Sequence, residues 1–390
     1  MAQKGVSQAI DLGERASAVG AVRYTSLDSL RGIAALIVVL HHCALMYFGY
    51  SFPAVIRYSP LRVLLDGKAS VLVFFALSGF VLFLTFRSKD HFHYHPYIIK
   101  RFLRLYPPFA VAILGSALLY KIVNPQPIPA LGTWLTTSWT LPPTMTVIAG
   151  HLAMTDKEAW QGLDNVMWSL GHEARISVIF PLLALCVWRK WWAAVIVTAI
   201  ISVVSGRVEA VHPFAWTYNP FLTLQYLFLF AGGAAVALHA TTIRRWFAGA
   251  LAWQRWGIWA LTLILVTFSL NPVIGILADC AAVALVALCF ADSRVSDVLS
   301  HSWFAWLGRV SYSLYLLHVP ILIALLHVFY GRLPLPGIFV CMIVLSLVAA
   351  DISYRLVEKP SIELGRRLAG ALQRRARSFR SGEEATTASS

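Results

Sequence analysis

Residues 30–47 read LRGIAALIVVLHHCALMY, an apolar run with an arginine at its second position and two histidines deep inside it. A run of this kind suits the hydrocarbon core of a bilayer, which takes about 20 residues to cross. Ionisable groups inside lipid are costly, so Arg31 and His42 call for a partner or a role. Ten residues separate them. In a helix those eleven steps turn ~1100°, about 20° past three full turns, and rise ~16 Å. The two side chains therefore share one face, Arg31 near a membrane surface and His42 deep. His41 points roughly 80° away. A snorkelling arginine and a histidine hydrogen-bonded inside a bundle satisfy this pattern. So does a cationic anchor below a deep base that takes a proton from a hydroxyl near neutral pH.

The rest of the chain extends the membrane reading. Of 390 residues, 58% are hydrophobic and only 13% are charged; soluble proteins average about 25% charged. Apolar runs recur at 30–47, 70–86, 105–123, 166–187, 192–208, 221–238, 256–269, 273–290, 307–330 and 338–356. They predict an all-α integral membrane protein with about ten transmembrane helices in one bundle. The seventh run is short, and Asn271-Pro272 predicts a tight hairpin into the eighth. No internal repeat is visible, which weakens an inverted-repeat transporter reading. The connection 124–165 carries Asp156, Glu158 and Asp164, and its 131–152 part is apolar enough to lie against the membrane or re-enter it.

Lysine and arginine set the orientation. With a cytoplasmic N-terminus, 23 of them fall in inner segments and 7 in outer ones, leaving aside Arg31 and Arg175 inside spans. This asymmetry predicts both termini cytoplasmic and a multi-pass protein of the cell's inner membrane. It also accounts for the formal charge of +14 without nucleic acid, because the basic residues flank spans and form no single block. Residues 1–26 read as a cytoplasmic N-terminal segment without the apolar core of a cleaved signal. Residues 27–362 form the transmembrane domain, and 363–390 a basic tail, an amphipathic surface helix followed by disorder. The five cysteines sit in or beside apolar runs. They read as buried thiols without a disulfide, and no metal-binding spacing is present.

Three further clusters carry chemistry. Arg101 and Arg104, beside Lys100 and ahead of Leu105-Tyr106-Pro107, share a helix face. They are either ordinary positive-inside charge or a phosphate site, which paired guanidiniums suit. Residues 168–175, WSLGHEAR, put Glu173 and Arg175 two apart on one helix, where they do not face each other. At 1.5 Å per residue, His42 lies ~20 Å from the inner face and Glu173 ~10 Å from the outer face, one level in a core of about 30 Å. A His42–Glu173 pair in the outer half of the membrane is thus geometrically open, beside an unrelated Glu–Arg network. Residues 308–318, GRVSYSLYLLH, put His318 at mid-depth, as a packing or substrate-positioning residue. Ser78-Gly79-Phe80 permits close helix approach. Asp28 reads as a helix cap. His91, His93 and His95 read as a solvated loop.

These pieces together resemble the acyltransferase-3 family of integral membrane O-acyltransferases. The resemblance rests on Leu27-Asp28-Ser29-Leu30-Arg31-Gly32 followed by His42, on Phe74-Phe75-Ala76-Leu77-Ser78-Gly79-Phe80, and on Arg101-Phe102-Leu103-Arg104 before Tyr106-Pro107. It continues through Trp168-Ser169-Leu170, Glu173 and Phe180-Pro181, then Ser311-Tyr312-Ser313-Leu314-Tyr315 with His318, and ends at Val357-Glu358-Lys359-Pro360. The chain departs from the family where Val71-Leu72-Val73 holds no acid, where Ala174, Ile176 and Ser177 replace an acid and an aromatic pair, and where Arg175 adds a charge.

The resemblance implies transfer of an acyl group, usually acetyl, from acyl-CoA to a hydroxyl, often on a glycan. It implies that Arg101, Arg104 and Arg31 hold the phosphates of acetyl-CoA or another acyl-CoA. His42 is then the base or the acyl carrier, with Glu173 orienting it or binding the acceptor. Trp168, Ser169, Tyr312 and His318 are expected in the substrate site, and no metal is expected. The expected partners are acyl-CoA, a saccharide acceptor of the envelope or for export, the bilayer and glycan-assembly proteins. The alternatives are acylation of a small molecule such as a macrolide or a lipid, a proton-coupled glycan or small-molecule transporter, and a scaffold.

Overall fold

The computed structural model describes residues 24–49, 52–57, 59–87, 92–128, 130–131, 133–136, 138–154, 162–211, 220–266 and 275–387. The first 23 residues, His91, Asp156, Glu158 and the Asn271-Pro272 hairpin lie outside them. Among the described residues the architecture is helical without a strand. The principal helices are α1 (Thr25–Phe48), α2 (Gly67–Arg87), α3 (Tyr94–Val123), α4 (Met145–Leu152), α5 (Met167–Val211), α6 (Phe221–Leu238), α7 (Ala252–Val266), α8 (Gly275–Ala291), α9 (Ser302–Phe329), α10 (Leu335–Ser353) and α11 (Lys359–Thr387), with shorter helical segments between them.

Seven helices among the described residues are long and apolar enough to cross a membrane. The described residues of all ten apolar runs lie almost wholly in helices, but run and helix do not correspond one to one. The 45-residue α5 takes in two of the runs and breaks at Lys190, where φ is −144° and ψ is 71°. Helices α7 and α8, with 15 and 17 residues, are short for independent spans. The helix after α8, Ser293–Leu299, turns away from it by 85°. Helix α3 starts at Tyr94, eleven residues before the apolar run that announced it, because the segment holding Lys100, Arg101 and Arg104 is helical too. Helix α11 continues to Thr387, through the segment read as a surface helix followed by a disordered tail.

Many helices are apolar on both sides, and the structure divides the sides between protein and exterior. Phe75, Phe80, Phe83, Phe109, Phe180 and Phe230 are fully buried, while Val178, Leu182, Ile196, Ile200, Val344 and Val348 of the same bundle are exposed. In a bilayer such exposed side chains meet lipid. The same division corrects the reading of the cysteines. Cys43 and Cys289 are buried, but Cys186, Cys280 and Cys341 are exposed, and all five are free thiols. An apolar run marks what lipid tolerates, and lipid covers part of it.

Two glycine crossings set the helix register. A Cβ on Gly32 of α1 would lie 2.5 Å from the backbone nitrogen of Gly308 on α9. A Cβ on Gly233 of α6 would run into the backbone of Ala76 and Phe80 on α2. Small residues of this kind let helices in lipid approach to backbone contact. The α1–α9 pair is parallel: Gly32 meets Gly308, and ten residues further along each helix His42 meets His318.

Candidate active site

Helices α1, α2, α3, α5 and α9 enclose a cleft with about 600 Å³ of empty space, its open mouth included. Its polar lining includes Arg31, Arg101, Arg104, Ser169, Glu173 and Tyr312, all expected site residues, and its apolar wall is built from Val71, Phe74, Phe75 and Leu170. The arginines are there because α3 is helical from Tyr94. Arg101 and Arg104 lie seven and ten residues into it, ~10 to 15 Å from its start. They are not loop charges at its end.

Charge in the cleft is unbalanced. Arg101 donates from Nη2 to Glu173 Oε1 at 2.5 Å and from Nε to Ser177 Oγ at 2.9 Å. Ser78 Oγ donates to the same Glu173 oxygen at 2.7 Å. Arg31 has a long contact of 3.8 Å with Asp28. Arg104 makes no hydrogen bond or close ion pair among the described residues. Glu358 acts on it electrostatically, as do Asp28, Arg31 and Arg101. Glu358 is buried where five residues of π-helix, Tyr354–Glu358, join α10 to α11, and it accepts from Ser313 Oγ at 2.8 Å. Three half-buried guanidiniums facing one directly paired carboxylate make a place for an anion, since isolated charge out of water is costly.

The histidines stand beyond this cleft and do not line it. His42 Nδ1 donates to Val38 O at 2.9 Å, and the same nitrogen is 3.1 Å from His318 Nε2. Tyr315, one turn before His318, closes the cleft on that side and exchanges a 2.7 Å hydrogen bond with Ser169. On the other side the ring of Trp134 lies 5.0 Å from that of His42.

Glu173 does not pair with His42. Its partners are Arg101 and Ser78, and the reason lies in the start of α5. Val166, expected at the membrane surface, is 2% exposed and its carbonyl accepts from Tyr315. From His318 to Tyr315 is three residues and from Ser169 to Glu173 four, so Glu173 sits roughly 10 Å nearer the arginines than His42 does.

The connection between α3 and α5 makes that descent possible. It leaves α3 at Val123 and returns to meet the same helix far below. Tyr106 donates to Leu152 O at 3.2 Å, about 25 Å along α3 from Val123. Arg175, the extra charge in this chain, donates to Met154 O at 3.1 Å and ties the returning loop to α5. Asp164 is 1% exposed, with one oxygen on Val166 N at 3.4 Å and the other, Oδ2, unpartnered among the described residues. Burial holds its carboxyl well above the usual carboxylate range.

Other sequence expectations fall outside the cleft. Trp168 lies edge-on to His172 and tilted against Tyr226, 6.0 Å from each ring, and does not line the cleft. Asp28 is not the N-cap residue of α1, because that helix starts at Thr25 with Tyr24 at the N-cap and Asp28 inside its first turn. His93 is at the N-cap of α3 without a side-chain capping bond, and His95 is inside the helix. Ser78, read only as a packing residue, proves to be a carboxylate partner, and no local pattern in the sequence signals it. Tyr315 and Ser311 line the cleft without having been singled out.

A family model described as an acyltransferase domain matches residues 24–355. The chain is 27% identical to acyltransferase MdmB of Streptomyces mycarofaciens, over 89% of this chain and 94% of that protein. It is 28% identical to O-acetyltransferase PaAT-1 of Phomopsis amygdali, over 39% of this chain and 38% of that one. It is 30% identical to the putative peptidoglycan O-acetyltransferase YrhL of Bacillus subtilis (strain 168), over 20% and 13%. No solved structure matches. With apolar helices throughout and a family match over most of its length, the chain belongs to the acyltransferase-3 family and is a multi-pass membrane acyltransferase.

Proposed function

We propose that this protein transfers an acetyl group from acetyl-CoA to a hydroxyl of an envelope or exported saccharide. In this reading it spans the inner membrane about ten times with both termini cytoplasmic, α5 supplying two passes about its break at Lys190. The lysine and arginine bias supports that orientation, which puts the mouth of the arginine cleft on the cytoplasmic side.

The donor fits the residues present. Arg104 is half-buried without a close ion pair among the described residues, and Arg31 has only its long 3.8 Å contact with Asp28, which suits the phosphates of a coenzyme. The apolar wall of Phe74, Phe75 and Leu170 suits the thin arm that carries the thioester. Arg31 and Arg104 bind and Arg101 shapes the site through Glu173. His42 Nε2 accepts the proton of the acceptor hydroxyl as its oxygen attacks the thioester carbonyl, and returns that proton to the departing thiolate. Holding donor and acceptor in line supplies a large part of the rate.

One observation carries this reading. Helix α1 is unbroken from Thr25 to Phe48 and holds Arg31 in the cleft and His42 about 16 Å further along. The saccharide draws support from the Bacillus relative, named for peptidoglycan. Purified protein given radiolabelled acetyl-CoA and a panel of envelope saccharides is expected to form alkali-labile saccharide esters. Label on small molecules or lipids alone corrects the acceptor class. Glycan uptake into proteoliposomes without any acyl transfer overturns the reading in favour of a transporter.

A further inference from the structure

His42 and His318 fix each other's protons. His318 Nδ1 lies 3.1 Å from Leu314 O. A carbonyl only accepts, so that nitrogen carries hydrogen, and a neutral imidazole has only one N–H. His318 Nε2 is therefore a lone pair. His42 Nδ1 lies 2.9 Å from Val38 O and carries hydrogen by the same argument. The 3.1 Å contact between His42 Nδ1 and His318 Nε2 is then donor to acceptor. Two carbonyls on two different helices lead to assignments that agree.

We infer that His318 is the positioning residue for His42, accepting its Nδ1–H and leaving the Nε2 lone pair free for the acceptor hydroxyl. The inference rests on the acyl-transfer reading above and gives the second imidazole the place that a carboxylate fills in the Ser-His-Asp arrangement. Glu173 is unavailable for it, being held by Arg101 and Ser78. The register is built into the backbone, because the Gly32–Gly308 crossing precedes each histidine by ten residues on its own helix.

The consequence for the chemistry follows directly. When His42 Nε2 takes the hydroxyl proton, Nδ1–H is already shared between Val38 O and His318 Nε2. The ring does not have to turn, and the new positive charge is shared with a second imidazole. The hydroxyl O–H and the acyl–sulfur bonds break, while the acyl–oxygen and S–H bonds form. His42 passes on one proton and His318 ends unchanged.

The test has two arms. In bilayers of protein labelled with nitrogen-15 histidine, solid-state NMR is expected to find His42 and His318 both protonated at Nδ1 and bare at Nε2. Their signals are identified by loss in the respective variants. An Nε2–H on either ring overturns the inference. In the second arm, His318→Phe keeps a ring without an acceptor, and His318→Gln keeps an amide oxygen near the place of Nε2. His318→Phe is expected to lose roughly 10- to 100-fold in kcat with KM for acetyl-CoA within about threefold, the size of a hydrogen bond to a charged group. His318→Gln is expected to keep most of the rate. Equal turnover in His318→Phe and wild type overturns the inference while leaving acyl transfer standing. Absence of transfer by the wild type overturns the proposed function, and the NMR arm then still decides the proton assignment.

Discussion

Arg101 and Glu173 are joined directly across the cleft, guanidinium nitrogen to carboxylate oxygen at 2.5 Å, with both side chains mostly out of solvent. The bond locks α3 to α5 and gives the pair a structural duty. Removing one partner of a buried pair leaves the other charge stranded, at a cost of about 3–5 kcal/mol. Arg101→Ala is therefore expected to lower the apparent Tm of the purified protein in detergent. Arg101→Met combined with Glu173→Gln is expected to recover most of the loss. An unchanged Tm in the single variant contradicts this view of the pair.

Arg104 has the opposite profile. It makes no close ion pair among the described residues, so Arg104→Gln strands no carboxylate at contact distance. The expected outcome is a Tm at or above wild type and acyl-CoA binding weakened about 10- to 100-fold, the value of charge-assisted hydrogen bonds to phosphate. Equilibrium dialysis with labelled acetyl-CoA measures the affinity. Unchanged affinity returns Arg104 to the ordinary charge of an inner-face segment.

The Gly32–Gly308 crossing predicts a coupled loss. Gly32→Ala forces α1 from α9 and carries His42 away from His318, so turnover and thermal stability fall together. Gly257→Ala on α7 is the control, because a Cβ there meets nothing within 4 Å. Equal behaviour of the two variants contradicts the role given to the crossing.

Asp164 predicts a pH dependence of stability. Burial keeps its carboxyl protonated in the fold well above the ordinary carboxylate range. The unfolded chain ionises it near pH 4, so between that value and the raised one the unfolded state holds fewer protons and is favoured. Stability contributed by this site is thus intact at low pH and declines as pH rises. Asp164→Asn removes the titration and is expected to raise Tm at pH 7 while matching wild type near pH 4. A Tm gain equal at both pH values contradicts the assignment.

The sequence made the helices and the arginine cluster legible because both are local. Apolar length announces a span, and a three-residue spacing puts Arg101 and Arg104 on one face. Ten residues between Arg31 and His42 were enough to foresee one ionisable group in the cleft and another deep along the same helix. Glu173 was misplaced because its depth depends on where α5 begins, and a returning loop decides that. No local pattern reports how far the Tyr106–Leu152 contact draws the loop inward. The His42–His318 pairing was hidden for a similar reason. It joins residues 276 positions apart, and only the glycine crossing, visible once both helices are placed, brings them level.

The most direct test of the account is coenzyme A release from acetyl-CoA by wild type and His42→Ala in the presence of acceptor. His42→Ala is expected to keep its Tm and acetyl-CoA affinity and to lose at least about 100-fold in turnover, the low end of what a positioned base contributes. Full turnover by His42→Ala contradicts it.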